Sequence, residues 1–218
     1  VKKPLFYLIV IALALGPFSL SLFFWNSLPA VMATHWGVDG QPNGWMPKTG
    51  ALLFLPVLNM VLLAVFLLIP LIDPLKKNIE AFRKYFDGFI MIVLLFMLAI
   101  HCQTVLWSRG LRVDPTLIIS PAMSVIFFYM GVLLSRAKQN WFIGIRTPWT
   151  LSSPEVWRKT HAVGAVLFKA LGGLSLISVL FRPWGLLVVA CLILLSALFL
   201  IILSFILFQS EQKKKRAP

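Results

Sequence analysis

Apolar residues in this chain gather into six long, nearly uncharged runs, with polar and charged residues held between them. The runs cover roughly residues 4–25, 50–72, 88–107, 116–135, 162–181 and 183–208. A helix needs about 20 apolar residues to cross a bilayer core, and each run is long enough. Period-two alternation is missing, so the runs do not read as strands of a membrane barrel. A helix is then the spanning form that satisfies its own backbone in lipid. The pattern predicts an all-α, polytopic membrane bundle of six transmembrane helices.

Composition agrees. Of 218 residues, 60% are hydrophobic and 12% charged, too apolar for a soluble surface or for disorder. The net charge of +13 would suggest nucleic acid if the bases lined a soluble face. They do not. Fifteen of the 20 Lys and Arg fall in the N-terminal segment, the loops after runs two and four, and the tail. Four lie in the alternate loops: Lys48, Arg109, Arg112 and Arg182. Basic residues concentrate on the cytoplasmic side, so both termini are expected in the cytoplasm of a cell whose cytoplasmic membrane holds the chain. The same excess suits the anionic lipids of the inner leaflet, and no direct nucleic-acid partner is expected. The first run is longer than a usual signal core and reads as a retained span. Cys102 and Cys191 lie inside runs three and six, where a thiol is small apolar filler. No Cys–His metal spacing appears, and no cofactor is expected.

The chain divides into a two-helix unit (1–72), an amphipathic cytoplasmic linker (73–87) and a four-helix unit (88–218). The loop of the first unit, expected outside, is dense in Pro, Gly and Trp and holds Pro29, His35, Trp36, Asp39 and Trp45. Such density signals tight turns, and the tryptophans suit a membrane–water interface. The loop reads as an ordered external cap, or as a surface for a peptide or lipid. A metal site on His35 and Asp39 has too few ligands. In the linker, Leu75, Ile79, Phe82 and Phe86 recur at helical spacing opposite Lys76, Lys77 and Lys84. This predicts a short basic helix lying on the inner leaflet, with Asp87 pairing to Arg83 one turn away.

The loop between spans four and five is the densest in specialised residues. Ser153, Pro154 and Glu155 read as a helix start, with Ser152 and Glu155 as an alternative capping box. Trp157 and His161 follow one turn apart on one face. Pro148 keeps Thr147 out of the α conformation, and Gly144 permits a tight turn. Arg146 is the lone charge among aromatics, expected to stack on Trp141 or Trp149, or to pair with a lipid phosphate or an acid. Polar residues inside spans are functional candidates by default: Asn59, His101 and above all Lys169. Ala165, Gly172 and Gly173 share the Lys169 face and predict close helix packing. Lys169 is expected to point into the bundle, with Asn59 at similar depth. The alternatives are a lysine snorkelling to the interface and a transport pathway. There is no nucleophile elbow, paired Asp or zincin motif, so no enzyme is expected. The three histidines fall in separate segments and cannot share one site.

The stretch Gly144-Ile145-Arg146-Thr147-Pro148-Trp149-Thr150-Leu151, preceded by Asn140 and followed by Glu155, Val156 and Trp157, resembles the signature of the SdpI family. These are bacterial immunity proteins against a secreted sporulation-delaying toxin peptide. The Pro29…Thr34-His35-Trp36…Gly40…Pro42-Asn43-Gly44 stretch resembles a small domain of unknown function often fused before that signature. The resemblance implies a membrane immunity and signalling protein. Its implied partners are a toxin peptide outside and a repressor drawn to the membrane inside. A small-molecule or lipid transporter with Lys169 in its pathway is the alternative. The positions carried over are Asn140, Gly144, Arg146, Thr147, Pro148, Trp149, Thr150 and Trp157.

Overall fold

The computed structural model describes residues 3–182 and 184–216. Lys2, counted among the bases, and Pro183, expected to open the sixth span, lie outside them. Six helices are long and apolar enough to cross a membrane. They are α1 (Lys3–Phe24), α2 (Lys48–Ile72), α4 (Arg83–Ser108), α5 (Pro115–Leu134), α7 (Pro154–Ile177) and α8 (Gly185–Arg216). Two short helices, α3 (Lys76–Ala81) and α6 (Pro148–Ser152), occupy connections. Helix α7 starts two turns before the apolar run that predicted it, because Ser153 and Pro154 set its first turn.

Helices α1, α2 and α4 pack on one another, α4 also packs on α5, and α5 packs on α7, which carries α8. The α5–α7 contact is intimate for a steric reason. A Cβ on Gly172 would lie 2.8 Å from Phe128, and one on Gly131 would lie 2.6 Å from the Ala165 carbonyl. The expected small-residue face is therefore used at Ala165 and Gly172, while Gly173 faces open space.

The main core draws Phe6 and Val10 from α1, Leu63 from α2, and Phe86, Ile90 and Leu94 from α4. Ile79 and Phe82 join it, both essentially fully buried. This corrects the linker expectation. Its apolar face turns into the bundle between α2 and α4 rather than onto a leaflet, because burial inside the protein fills the space those helices leave. The expected Arg83–Asp87 pair is present at 2.6 Å.

Prolines inside two spans explain two of the flagged polar residues. Pro17 in α1 and Pro56 in α2 lack an N–H, which frees the carbonyls of Leu13 and Leu52, four residues earlier. Asn59 of α2 donates to Leu13 O at 3.1 Å, and Ser21 of α1 donates to Leu52 O at 2.9 Å. Each helix thus satisfies the carbonyl its neighbour's proline released, as a lipid environment demands. Ser21, already donating, accepts from His101 Nε2 at 2.8 Å, which brings α4 into the same joint.

At the end opposite the termini, the Pro/Gly/Trp segment is a β-hairpin of β1 (Val31–Trp36) and β2 (Pro42–Pro47), antiparallel and bulged around His35. Its prolines sit at the ends of β2, where a missing N–H is tolerated. Gly40 turns it with φ +74°, and Asp39 accepts from Gln41 N at 3.0 Å. Trp36 meets Trp107 of α4 edge to face at 5.8 Å.

Candidate functional site

The segment between α5 and α7 lies at the same end of the bundle as the termini and is built outward from Asn140. That side chain is fully buried and uses all four of its hydrogen-bonding positions. Its Nδ2 donates to Lys138 O at 2.9 Å and to Ile143 O at 2.8 Å. Its Oδ1 accepts from Phe142 N at 2.9 Å and Ile143 N at 2.6 Å. A single amide therefore replaces the secondary structure this stretch lacks.

Gly144 follows with φ +117°, a conformation that side chains other than glycine rarely adopt. The turn drives the chain against α7. Ile145 N donates to His161 Nε2 at 3.0 Å, while Nδ1 donates to Trp157 O at 2.9 Å. These two bonds require a neutral imidazole carrying its proton on Nδ1. The ring stacks on Trp157 at 3.9 Å, and the indole Nε1 donates to Ala137 O at 2.9 Å. The expected Trp157–His161 face is thus the wall on which the turn is mounted.

Thr147 is extended (φ −106°, ψ 161°), as the following proline dictates, and caps α6. The capping box is Thr147 with Thr150, not the alternative Ser152 with Glu155; Ser153 itself caps α7 through Val156 N. Thr150 Oγ1 also donates to Ile145 O at 2.8 Å. Trp149 packs on Phe205 of α8 at 5.1 Å.

Several residues that the sequence did not single out pin this unit to the bundle. Asp73, buried after α2, accepts from Trp141 N at 2.9 Å. Asn78 of α3 donates to Gln139 O, and Gln139 Nε2 donates to Thr150 O and Leu151 O. Thr147 pairs with Ser204 of α8 at 2.9 Å, and Ser153 donates to Glu211 at 2.5 Å. An acidic residue directly after a span was a usable signal for Asp73. Ser204 carried none, being one hydroxyl in a long apolar helix.

Arg146 takes neither of the two protein partners expected of it. It is exposed and donates from its guanidinium to Trp141 O at 2.7 Å. It neither stacks on an aromatic ring nor meets an acid among the described residues. Trp149 is occupied by Phe205, and the carbonyl is the nearer acceptor. The site therefore presents Trp141, Phe142 and Arg146 outward on a rigid turn.

Lys169 and Asn59 do not come together. Asn59 is buried against α1, whereas Lys169 lies half-buried along the α5–α7 seam. In the hairpin, His35 Nδ1 pairs with Asn43 Oδ1 at 2.5 Å rather than with Asp39. Pro29 precedes β1, and Trp45 is largely exposed. No group of three His, Cys, Asp or Glu side chains among the described residues is placed to hold a metal.

Six spanning helices around a capped, hydrogen-bonded turn define a multi-pass protein of the cytoplasmic membrane. Residues 136–207 match the model of the SdpI/YfhL protein family, and residues 12–60 match a domain of unknown function, DUF1648. The C-terminal third of the chain is thus similar to the SdpI family. The chain is 27% identical over 157 residues, 72% of each chain, to "Immunity protein SdpI" of Bacillus subtilis (strain 168). No solved structure matches it. The matched segment covers the whole Asn140–Trp157 unit and reaches Ser204 and Phe205 of α8, ending before Glu211.

Proposed function

We propose that this chain is an immunity protein of the SdpI type, protecting its cell from a membrane-active toxin peptide and docking a cytoplasmic regulator. The observation that carries the reading is the rigid turn at Gly144–Thr150. It lies within the matched segment and is over-determined by hydrogen bonds, yet it leaves Trp141, Phe142 and Arg146 exposed at the surface, where a partner can reach them. The fifteen-to-four split of basic residues supports placing this turn and both termini in the cytoplasm. The hairpin then faces outward, where a secreted peptide arrives. Transport through Lys169 loses the support it drew from a shared site with Asn59. The test is expression of the chain in a cell killed by the sporulation-delaying peptide. Survival supports immunity; unchanged killing at matched membrane expression refutes it. Co-purification of a small cytoplasmic repressor, lost on Arg146→Ala, tests the docking arm.

A further inference from the structure

An open groove of about 630 Å³ runs along the seam of α5 and α7. It begins at the basic end of the bundle, beside Lys138 and the first turn of α7, and reaches down to Lys169. Its wall is apolar at Leu134, Ala162 and Val166, and its cations are Lys138, Arg158 and Lys169. Arg158 is already paired with Glu155 at 2.7 Å, and the same carboxylate holds Lys159 at 3.1 Å. Lys138 and Lys169 make no ion pair among the described residues.

The two lysines differ in depth. Lys169 lies eight residues past His161, about 12 Å further along the helix. Side chains on a helix lean toward its N-terminus, so the Lys169 ammonium leans back toward the mouth of the groove. Its stem crosses α5 where no side chain stands: a Cβ on Gly131 would lie 2.7 Å from Lys169 Cγ. An ammonium at that depth is costly without a counter-charge, and the described residues supply none. A cationic mouth above an apolar, lipid-facing wall matches an amphiphile with an anionic head.

We infer that this groove binds an anionic phospholipid, its headgroup between Lys138 and the upward-leaning Lys169 and an acyl chain against Ala162 and Val166. The site is a fixed one, distinct from the diffuse attraction of a basic surface to a leaflet. It is independent of toxin protection and holds for whichever leaflet meets the basic end.

The test uses the purified full chain in detergent micelles, with bound lipid counted by native mass spectrometry. Phosphatidylglycerol should be retained as one molecule per chain, and phosphatidylcholine, whose choline cation cancels the phosphate charge and repels the two ammonium groups, about tenfold less. Lys169→Met and Lys138→Gln should each lower phosphatidylglycerol retention about tenfold, while Arg112→Gln on a distant loop leaves it unchanged. Helicity by circular dichroism verifies the fold, and Lys138→Gln, on an exposed turn, stands if Lys169→Met fails to fold. Equal retention of the two lipids, or undiminished retention in the variants, overturns the inference. Displacement by millimolar inorganic phosphate also overturns it, marking a site for a free anion.

Discussion

Replacing Gly144 by alanine sets backbone, packing and hydrogen bonding against one added methyl group. At φ +117° a Cβ residue pays about 1–3 kcal/mol of backbone strain. The new Cβ also falls inside contact distance of His161 Nε2 and 3.3 Å from the Trp157 ring. His161 cannot swing aside freely, because Nδ1 is bonded to Trp157 O and the ring is stacked at 3.9 Å. Moving it breaks the Ile145 N–H bond and leaves that donor unpaired, about 1–3 kcal/mol more. The expected loss is therefore about 2–6 kcal/mol. Gly173→Ala is the matched control. It makes the same chemical change in an exposed helix interior with nothing within 4 Å, where alanine is favoured by about 0.5–1 kcal/mol. Equilibrium unfolding by SDS in mixed micelles, followed by far-UV circular dichroism, measures both. The reasoning is refuted if Gly144→Ala lies within about 1 kcal/mol of the parent. It is equally refuted if Gly173→Ala is as damaging.

Two other outcomes are expected. Arg146→Ala should reduce protection in a survival assay more than Arg158→Ala, because Arg146 braces the turn through Trp141 O. Arg158 by contrast serves an exposed pair with Glu155 worth at most about 1 kcal/mol. Equal survival at matched expression would contradict this. Asp114 caps α5 through Thr116 N at 2.8 Å and meets Arg182 at 3.0 Å, joining two connections at the hairpin end. Partial burial pushes its carboxyl up, but the Thr116 bonds and the Arg182 guanidinium outweigh this and hold it below the ordinary 3.8. A carboxylate depressed on folding contributes stability above its unfolded value and loses it as pH falls through its folded value. The stability difference between the parent and Asp114→Asn should thus be flat from about pH 5 to 8 and shrink below about pH 4. A difference unchanged at pH 3 would refute the assignment.

The spanning helices were legible because lipid imposes one rule on every residue of a span, and a long apolar run answers it. The turn chemistry was legible for the same kind of reason: Gly144, Pro148, Ser153 and Pro154 each act on their own backbone. What escaped depended on distant partners. Asn59 looked like company for Lys169, yet its partner is the carbonyl that Pro17 released in another helix. The prolines at 17 and 56, each in a span that also holds a polar residue, were the clue. The linker was misread because an amphipathic pattern states that one face is covered without stating by what. Ile79 and Phe82 are covered by protein. The hairpin was hidden by prolines and glycines that look like loop residues until both strands are paired.

The contacts from Thr147 to Ser204 and from Ser153 to Glu211 span 57 and 58 residues of chain. They set an order of events during synthesis. At roughly 5–20 residues per second, a ribosome that has just finished the signature turn needs about 3–12 seconds more to supply its last two anchors. Four spans have been made when that interval opens, the fifth and most of the sixth follow within it, and the turn stays unfinished. A nascent chain halted before the sixth helix would carry Trp141, Phe142 and Arg146 without the tethers that fix their turn. The maturity of this surface is thus tied to the completion of translation.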